Sequence, residues 1–110
     1  MWGICLDISV HDGMLFQRAV EYESSLEECS VHILQPVSDI IISIDKIKPV
    51  DREPVFVYGE IVSPVTHSGV IGEIADIVWH FKNDDYNYYI SVNGKKKSKR
   101  YYSDDLLKLK

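Results

Sequence analysis

The sequence predicts an all-β protein made of two small units in tandem. Three observations carry this. Segments rich in Val, Ile, Tyr, Phe and Trp alternate in polarity, turn residues separate them at short intervals, and the two halves of the chain follow the same order. A length of 110 residues suits one compact body or two very small ones. A half-chain of about 55 residues hides only about 60% of its unfolded surface and is marginal as a folding unit. The alternative architecture is a single β-sandwich or barrel to which both halves contribute strands.

In the first half, Ile4 to Val10 reads as a strand, His11-Asp12-Gly13 as a turn and Met14 to Tyr22 as a second strand. Residues 23–28 read as a loop or one helical turn, followed by short strands at Val31 to Leu34 and Ile40 to Ile44. Proline removes a ladder donor, so residues 49–54, with Pro49 and Pro54, read as a connector between units 1–50 and 54–110. In the second half, Ile71, Ala75, Ile77, Trp79 and Phe81 share one face of a long strand over 70–82, with Glu73 marking a strand end or bulge. A second alternating run places Tyr86, Tyr88, Ile90 and Val92 on one face and Asn87, Tyr89 and Ser91 on the other. Asn83-Asp84-Asp85 separates the two runs, and Asn93-Gly94, whose residues accept positive φ, turns the chain again. Residues 70–103 therefore read as a three-stranded meander.

The halves align at two spacings. Trp2-Gly3, His11-Asp12-Gly13 and Ala19 match Tyr58-Gly59, His67-Ser68-Gly69 and Ala75 at an offset of 56, and 43–48 match 103–108 at an offset of 60. The stretch GVIGEIADIVWH, then YNYYISV, then KRYYSDDL resembles the SH3-like small-barrel superfamily, in which a glycine precedes a long strand and an Asp-Leu turn precedes the last one. That resemblance implies two SH3-like small barrels in tandem, and no particular function, since the fold serves many. In size, acidity and β content the second half is also similar to small uncharacterised bacterial proteins of the immunity type, which implies binding to a secreted toxin domain.

Composition excludes several classes. At 45% apolar and 26% charged residues the chain is ordinary for a globular protein rather than collagenous or disordered. Its apolar runs, such as Ile40 to Ile42, fall far short of the roughly 20 residues of a membrane helix. The opening MWGICLD has no basic n-region or long apolar h-region, which argues against a secretory signal and for a cytoplasmic protein. Two cysteines, Cys5 and Cys29, are too few for a disulfide framework and read as a buried reduced pair.

Catalytic and metal motifs are missing from the pattern. There is no HExxH, no paired Cys/His set, no Gly-x-Ser-x-Gly and no phosphate-binding glycine loop. His11 and His67 precede turn glycines and read as turn residues, while His32 and His80 are isolated. A non-enzyme without metal or cofactor is the expectation.

Charge supplies the candidate sites. Residues 1–50 hold eight acids against Arg18, Lys46 and Lys48, which accounts for the whole net charge of −5, whereas 51–110 hold nine of each sign. Negative charge disfavours general nucleic-acid binding and favours a basic protein partner, for which complementary fields raise the on-rate. The acidic cluster Glu21, Tyr22, Glu23, Glu27 and Glu28 is the candidate partner-binding segment, shaped to plug the basic cleft of a toxin nuclease. Its plain alternative is a solvated loop. If the interface is instead apolar, Trp2, Tyr22 and Trp79 are the candidates. The competing site is basic: Lys95, Lys96, Lys97, Lys99 and Arg100 beside Tyr101 and Tyr102 could grip phosphates and stack bases in a nucleic-acid or ribonucleoprotein adaptor. Its plain alternative is a lysine-protected edge, with Asp84, Asp85, Asp104 and Asp105 as counter-charges.

Overall fold

The longest ladder of the computed structural model joins the two alternating runs of the second half, which pair as neighbouring antiparallel strands. Residues 1–9, 13–38 and 40–109 are described. Their strands, in chain order, are β1 (Trp2–Cys5), β2 (Ala19–Ser24), β3 (Ser30–Gln35), β4 (Ile40–Ser43), β5 (Ile47–Val50), β6 (Ile61–Pro64), β7 (Gly72–His80), β8 (Asp85–Val92), β9 (Lys95–Lys96) and β10 (Leu106–Lys108). Helical structure among the described residues is limited to short 3-10 turns, including Ile44–Lys46 and Ser103–Asp105, and no helix is long and apolar enough to cross a membrane. The protein is all-β, with two five-stranded antiparallel sheets in two compact units, Met1–Glu53 and Pro54–Lys110.

The first sheet has the order β4-β3-β2-β1-β5 and the second β10-β6-β7-β8-β9, so in both the fifth strand returns beside the first. In both, a 3-10 turn delivers the chain into that last strand. The corresponding first strands, 3-10 turns and last strands begin at Trp2 and Ile61, Ile44 and Ser103, and Ile47 and Leu106, each 59 residues apart. This corrects the offsets of 56 and 60. Trp2-Gly3 lies inside β1, whereas Tyr58-Gly59 is a turn before β6, with Gly59 at φ 83°. The two glycines answer different needs: a Cβ on Gly3 would stand 2.5 Å from Ile47 Cγ2, while one on Gly59 would meet nothing within 4 Å. By register the counterpart of Gly72, opposite Val62, is Val20, opposite Gly3.

Several boundaries differ from the sequence reading for local reasons. β1 ends at Cys5 because the Asp7 carboxylate turns the chain, accepting from the Ser9 N–H at 2.9 Å and its hydroxyl at 2.6 Å. Val10, His11 and Asp12 lie outside the described residues, as does Asp39. Residues 14–17 are turns rather than strand, closed by Phe16 N–H to the Gly13 carbonyl and Arg18 N–H to that of Leu15, with Gln17 at φ 64°. Glu23 and Ser24 complete β2 instead of starting a loop. Pro49 belongs to β5, opposite Gly3, where an edge position spares it an inward N–H.

In the first unit the core gathers Cys5, Leu15, Val20, Tyr22, Val31, Ile33, Ile42 and Ile47. In the second, Val62, Ile74, Ile77, Trp79, Tyr86, Tyr88, Ile90 and Leu106 are buried. Beyond a register shift between Ile74 and Asp76, Ile77 and Trp79 face inward as alternation expects; before it the phase differs by one residue. Ile74 is therefore buried and Ile71, expected on the core face, is 58% exposed, while Phe81, also expected there, lies past the end of β7 in the following turn and is 42% exposed. Edge-to-face pairs join Trp79 to Tyr86 at 5.0 Å and Phe56 to Tyr88 at 5.3 Å between ring centroids. The Tyr88 hydroxyl also accepts from the Val55 N–H at 2.9 Å and so fastens the 54–57 segment.

Candidate functional site

The acidic segment folds as the end of β2 and the hairpin turn into β3. Period-two alternation sends Tyr22 inward, leaving it 3% exposed, and sends Glu21 and Glu23 to the opposite face. Tyr22 is thus a core residue and not a partner contact; Trp2 and Trp79, at 8% and 7%, are likewise unsuited to anchor an apolar interface. The turn is held by Ser25 N–H to the Ser30 carbonyl at 3.2 Å, and by the Ser25 hydroxyl, which accepts from the Glu27 N–H at 3.1 Å. Cys29 closes it with φ 60° and is exposed, so the expected buried cysteine pair is corrected: only Cys5 is buried.

What the turn presents is Leu26, fully exposed, followed by exposed Glu27 and Glu28. Glu23, Leu26 and Glu27 share a surface hollow of about 380 Å³ with His32 and Ile41. His32 donates through Nε2 to the Ser38 carbonyl at 2.6 Å and turns Nδ1 to the Glu23 carboxylate at 3.4 Å, a contact that becomes an ion pair when the ring is protonated. Ile41 is 53% exposed on the edge strand β4, directly opposite His32. Sequence reasoning missed Ile41; its signal was the middle place in Ile40-Ile41-Ile42, which alternation must turn outward when its neighbours turn in.

Glu21 is elsewhere. Its carboxylate accepts from Gln35 Nε2 at 2.7 Å and borders a separate cleft of about 660 Å³, with Trp2, Tyr22, Pro49, Asp51 and Glu53. The five residues expected to act together therefore divide among the core, the hairpin tip and this cleft. Asp51 and Glu53 add acid to the first unit that the sequence reading assigned to a connector.

The basic segment is already partly engaged. Asn93 and Gly94, at φ 54° and 78°, form the expected turn into β9. Lys96 is paired with Asp76, and its ammonium lies 5.6 Å from the Tyr89 ring centroid. That counter-charge comes from β7 across the sheet, whereas the sequence pointed to acids in the flanking turns. Tyr101 exchanges both backbone hydrogen bonds with Tyr88, is 9% exposed, and has Lys99 Nζ 5.3 Å from its ring centroid. The Tyr102 hydroxyl accepts from Asn83 Nδ2 at 2.8 Å, while its N–H donates to Asp105 at 2.9 Å. Tyr101 offers no open ring face for base stacking, which corrects its assignment as a stacking residue, while Tyr102 is half-buried. Lys95, Lys97, Lys99 and Arg100 are exposed.

His67 lies in the β6–β7 turn, its N–H bonded to the Pro64 carbonyl and its Nδ1 3.0 Å from the Thr66 hydroxyl. Among the described residues no group of three or more His, Cys, Asp or Glu side chains could hold a metal ion. Cys5 is pushed up by burial, which makes it an unreactive thiol. Asp7 is held below the usual carboxylate range by the Ser9 hydroxyl and N–H.

No curated protein and no solved structure matches the chain. One family model does, over residues 38–107, which runs from the start of β4 through most of β10. By that match, the chain belongs to the family of unknown function DUF6960.

Proposed function

We propose that this protein is a protein-binding module whose β2–β3 hairpin docks on a basic partner, and that it serves as a cytoplasmic immunity protein occluding the active site of a bacterial toxin. Leu26 is the observation that carries the reading. A leucine with no protection from solvent, at a turn tip followed by two carboxylates, has no role in its own core and suits insertion into a partner. Ile41 extends the apolar contact, while Glu23, Glu27 and Glu28 supply steering charge. The unit that carries the hairpin, residues 1–53, has ten acids against four bases, a net of −6; residues 54–110 have seven acids against eight bases, a net of +1. A nuclease cleft must attract phosphate and is therefore basic, so an acidic plug with an apolar tip blocks it without chemistry.

The test is surface-binding kinetics of the full chain against the toxin domain encoded beside its gene. Glu27→Lys with Glu28→Lys should slow association about tenfold at low salt and flatten its salt dependence. Leu26→Ala should act on dissociation instead. Folding stability should stay within about 0.5 kcal/mol of the parent for these exposed substitutions. Wild-type kinetics in both variants would end the hairpin reading. A larger loss from Lys95→Ala with Lys97→Ala would transfer binding to the basic segment, the nucleic-acid or ribonucleoprotein adaptor.

A further inference from the structure

The second unit contains a groove that the hairpin reading does not use. It lies between the β6–β7 turn and the segment that follows β9, has a volume of about 500 Å³, and is lined by Pro64, His67, Val70, Ile90, Val92 and residues 97–99 with Tyr101. Its floor is apolar: Pro64, Ile90 and Tyr101 are buried, and Val70 and Val92 are half-buried. Its rim is basic. Lys97 and Lys99 are exposed, and neither has an ion-pair partner among the described residues, in contrast to Lys96 with Asp76 and Lys108 with Glu60 at 2.7 Å.

Both walls are shaped by internal bonds. The hydroxyl of Ser63, itself 3% exposed, donates to the Val70 carbonyl at 2.7 Å and lies 3.3 Å from that of Ser68, which ties the turn back onto β6. On the opposite wall Lys97 N–H donates to the Ile90 carbonyl at 2.9 Å, and Tyr101 is fastened to Tyr88. Residues 98–100 span these two anchors. The groove therefore exists before any ligand arrives, which lowers the ordering cost of binding.

We propose that this groove receives an acidic peptide segment: an apolar side chain rests on Val70, Ile90 and Val92 while flanking carboxylates meet Lys97 and Lys99. Charge complementarity selects the occupant. Two exposed lysines with no ion-pair partner among the described residues call for anionic groups, and the apolar floor between the walls calls for a hydrocarbon side chain beside them. A single-stranded nucleic acid fits less well, because the Tyr101 ring is buried and the floor is mostly hydrocarbon, with little to meet base edges.

The experiment is an amide-resolved NMR titration of the full chain with a capped peptide, Glu-Glu-Leu-Glu-Glu. The expected result is shifts at Val70, Ile90, Val92 and Ser98, with little change around Leu26. A peptide with Lys in place of each Glu should leave them unmoved, and replacing its Leu with Ser should weaken the response. Lys97→Ala with Lys99→Ala should raise the dissociation constant about tenfold, the size expected of two exposed charge contacts. Since both lysines are exposed, the dispersed spectrum of that variant verifies that the fold is kept. The proposal is overturned if millimolar peptide leaves these amides in place, if the lysine peptide shifts them equally, or if an oligo-uridine strand shifts them and the acidic peptide does not. Because the readout concerns this groove alone, its failure leaves the hairpin reading standing, and the reverse is equally true.

Discussion

Cys5 and Cys29 have opposite surroundings, as their neighbours Ile4 and Leu6 on one side and Glu28 and Ser30 on the other foreshadow. Cys5 ends β1 with no exposed surface, whereas Cys29 takes φ 60° at the foot of the hairpin turn and faces solvent. A neutral maleimide should therefore label one thiol per native chain and the second only after unfolding, with Cys29→Ser abolishing the native reaction. Mass spectrometry of the labelled chain checks this, and rapid labelling of both thiols would contradict the burial of Cys5. Tyr22 makes the opposite point for the candidate site. Its neighbours in sequence marked it as a partner contact, yet the pleat turns it into the core while Glu21 and Glu23 point away. Residue type and local company were legible in the sequence; side-chain direction depended on where β2 begins.

At the scale of elements, turn chemistry was the most legible signal. Asn93 and Gly94 both adopt positive φ and join β8 to β9 with Val92 opposite Lys95. Gly94→Ala should cost about 1–2 kcal/mol, the penalty for an L-residue in the left-handed region, because space is no obstacle: a Cβ there meets nothing within 4 Å. Denaturant unfolding of the variant checks it, and an unchanged midpoint would mean that the turn is free to change type. Phase within strands was less legible. Alternation located β7 and β8, but a bulge is an extra residue with no composition of its own, so the shift between Ile74 and Asp76 moved Ile71 off the core face without announcing itself, and Phe81 left it because the strand ends at His80. Beside it, Gly72 is required by close approach, since a Cβ there would stand 2.9 Å from the Ser91 carbonyl oxygen. The spacing of 59 between the two sheets was hidden for a related reason. Matching letters aligned glycines that serve different purposes, whereas the ladder aligns backbone positions.

For the whole molecule, stability against pH should have a plateau with one falling arm on each side. The Asp7 carboxyl is held below its ordinary range in the fold, so its contribution is present above that range and is lost as pH falls through the folded value. Cys5 is raised, so its contribution is present below the ordinary thiol range and is lost as pH rises through it. Chemical unfolding across acid, neutral and alkaline buffers checks both signs; Asp7→Asn should flatten the acid arm and Cys5→Ala the alkaline arm. Charge shows what each level of description decides. The sequence by itself determined that the protein is all-β and that its acid is concentrated toward one end, because alternation, turn residues and the placing of charges are read from local sequence. Only the tertiary structure decided which charges remain available. Lys96 is spent on Asp76 and Glu21 on Gln35, while Lys97, Lys99, Glu27 and Glu28 stay in solvent. Those outcomes rest on register between strands distant in sequence, and a one-residue shift in a pleated strand reverses which side chains meet.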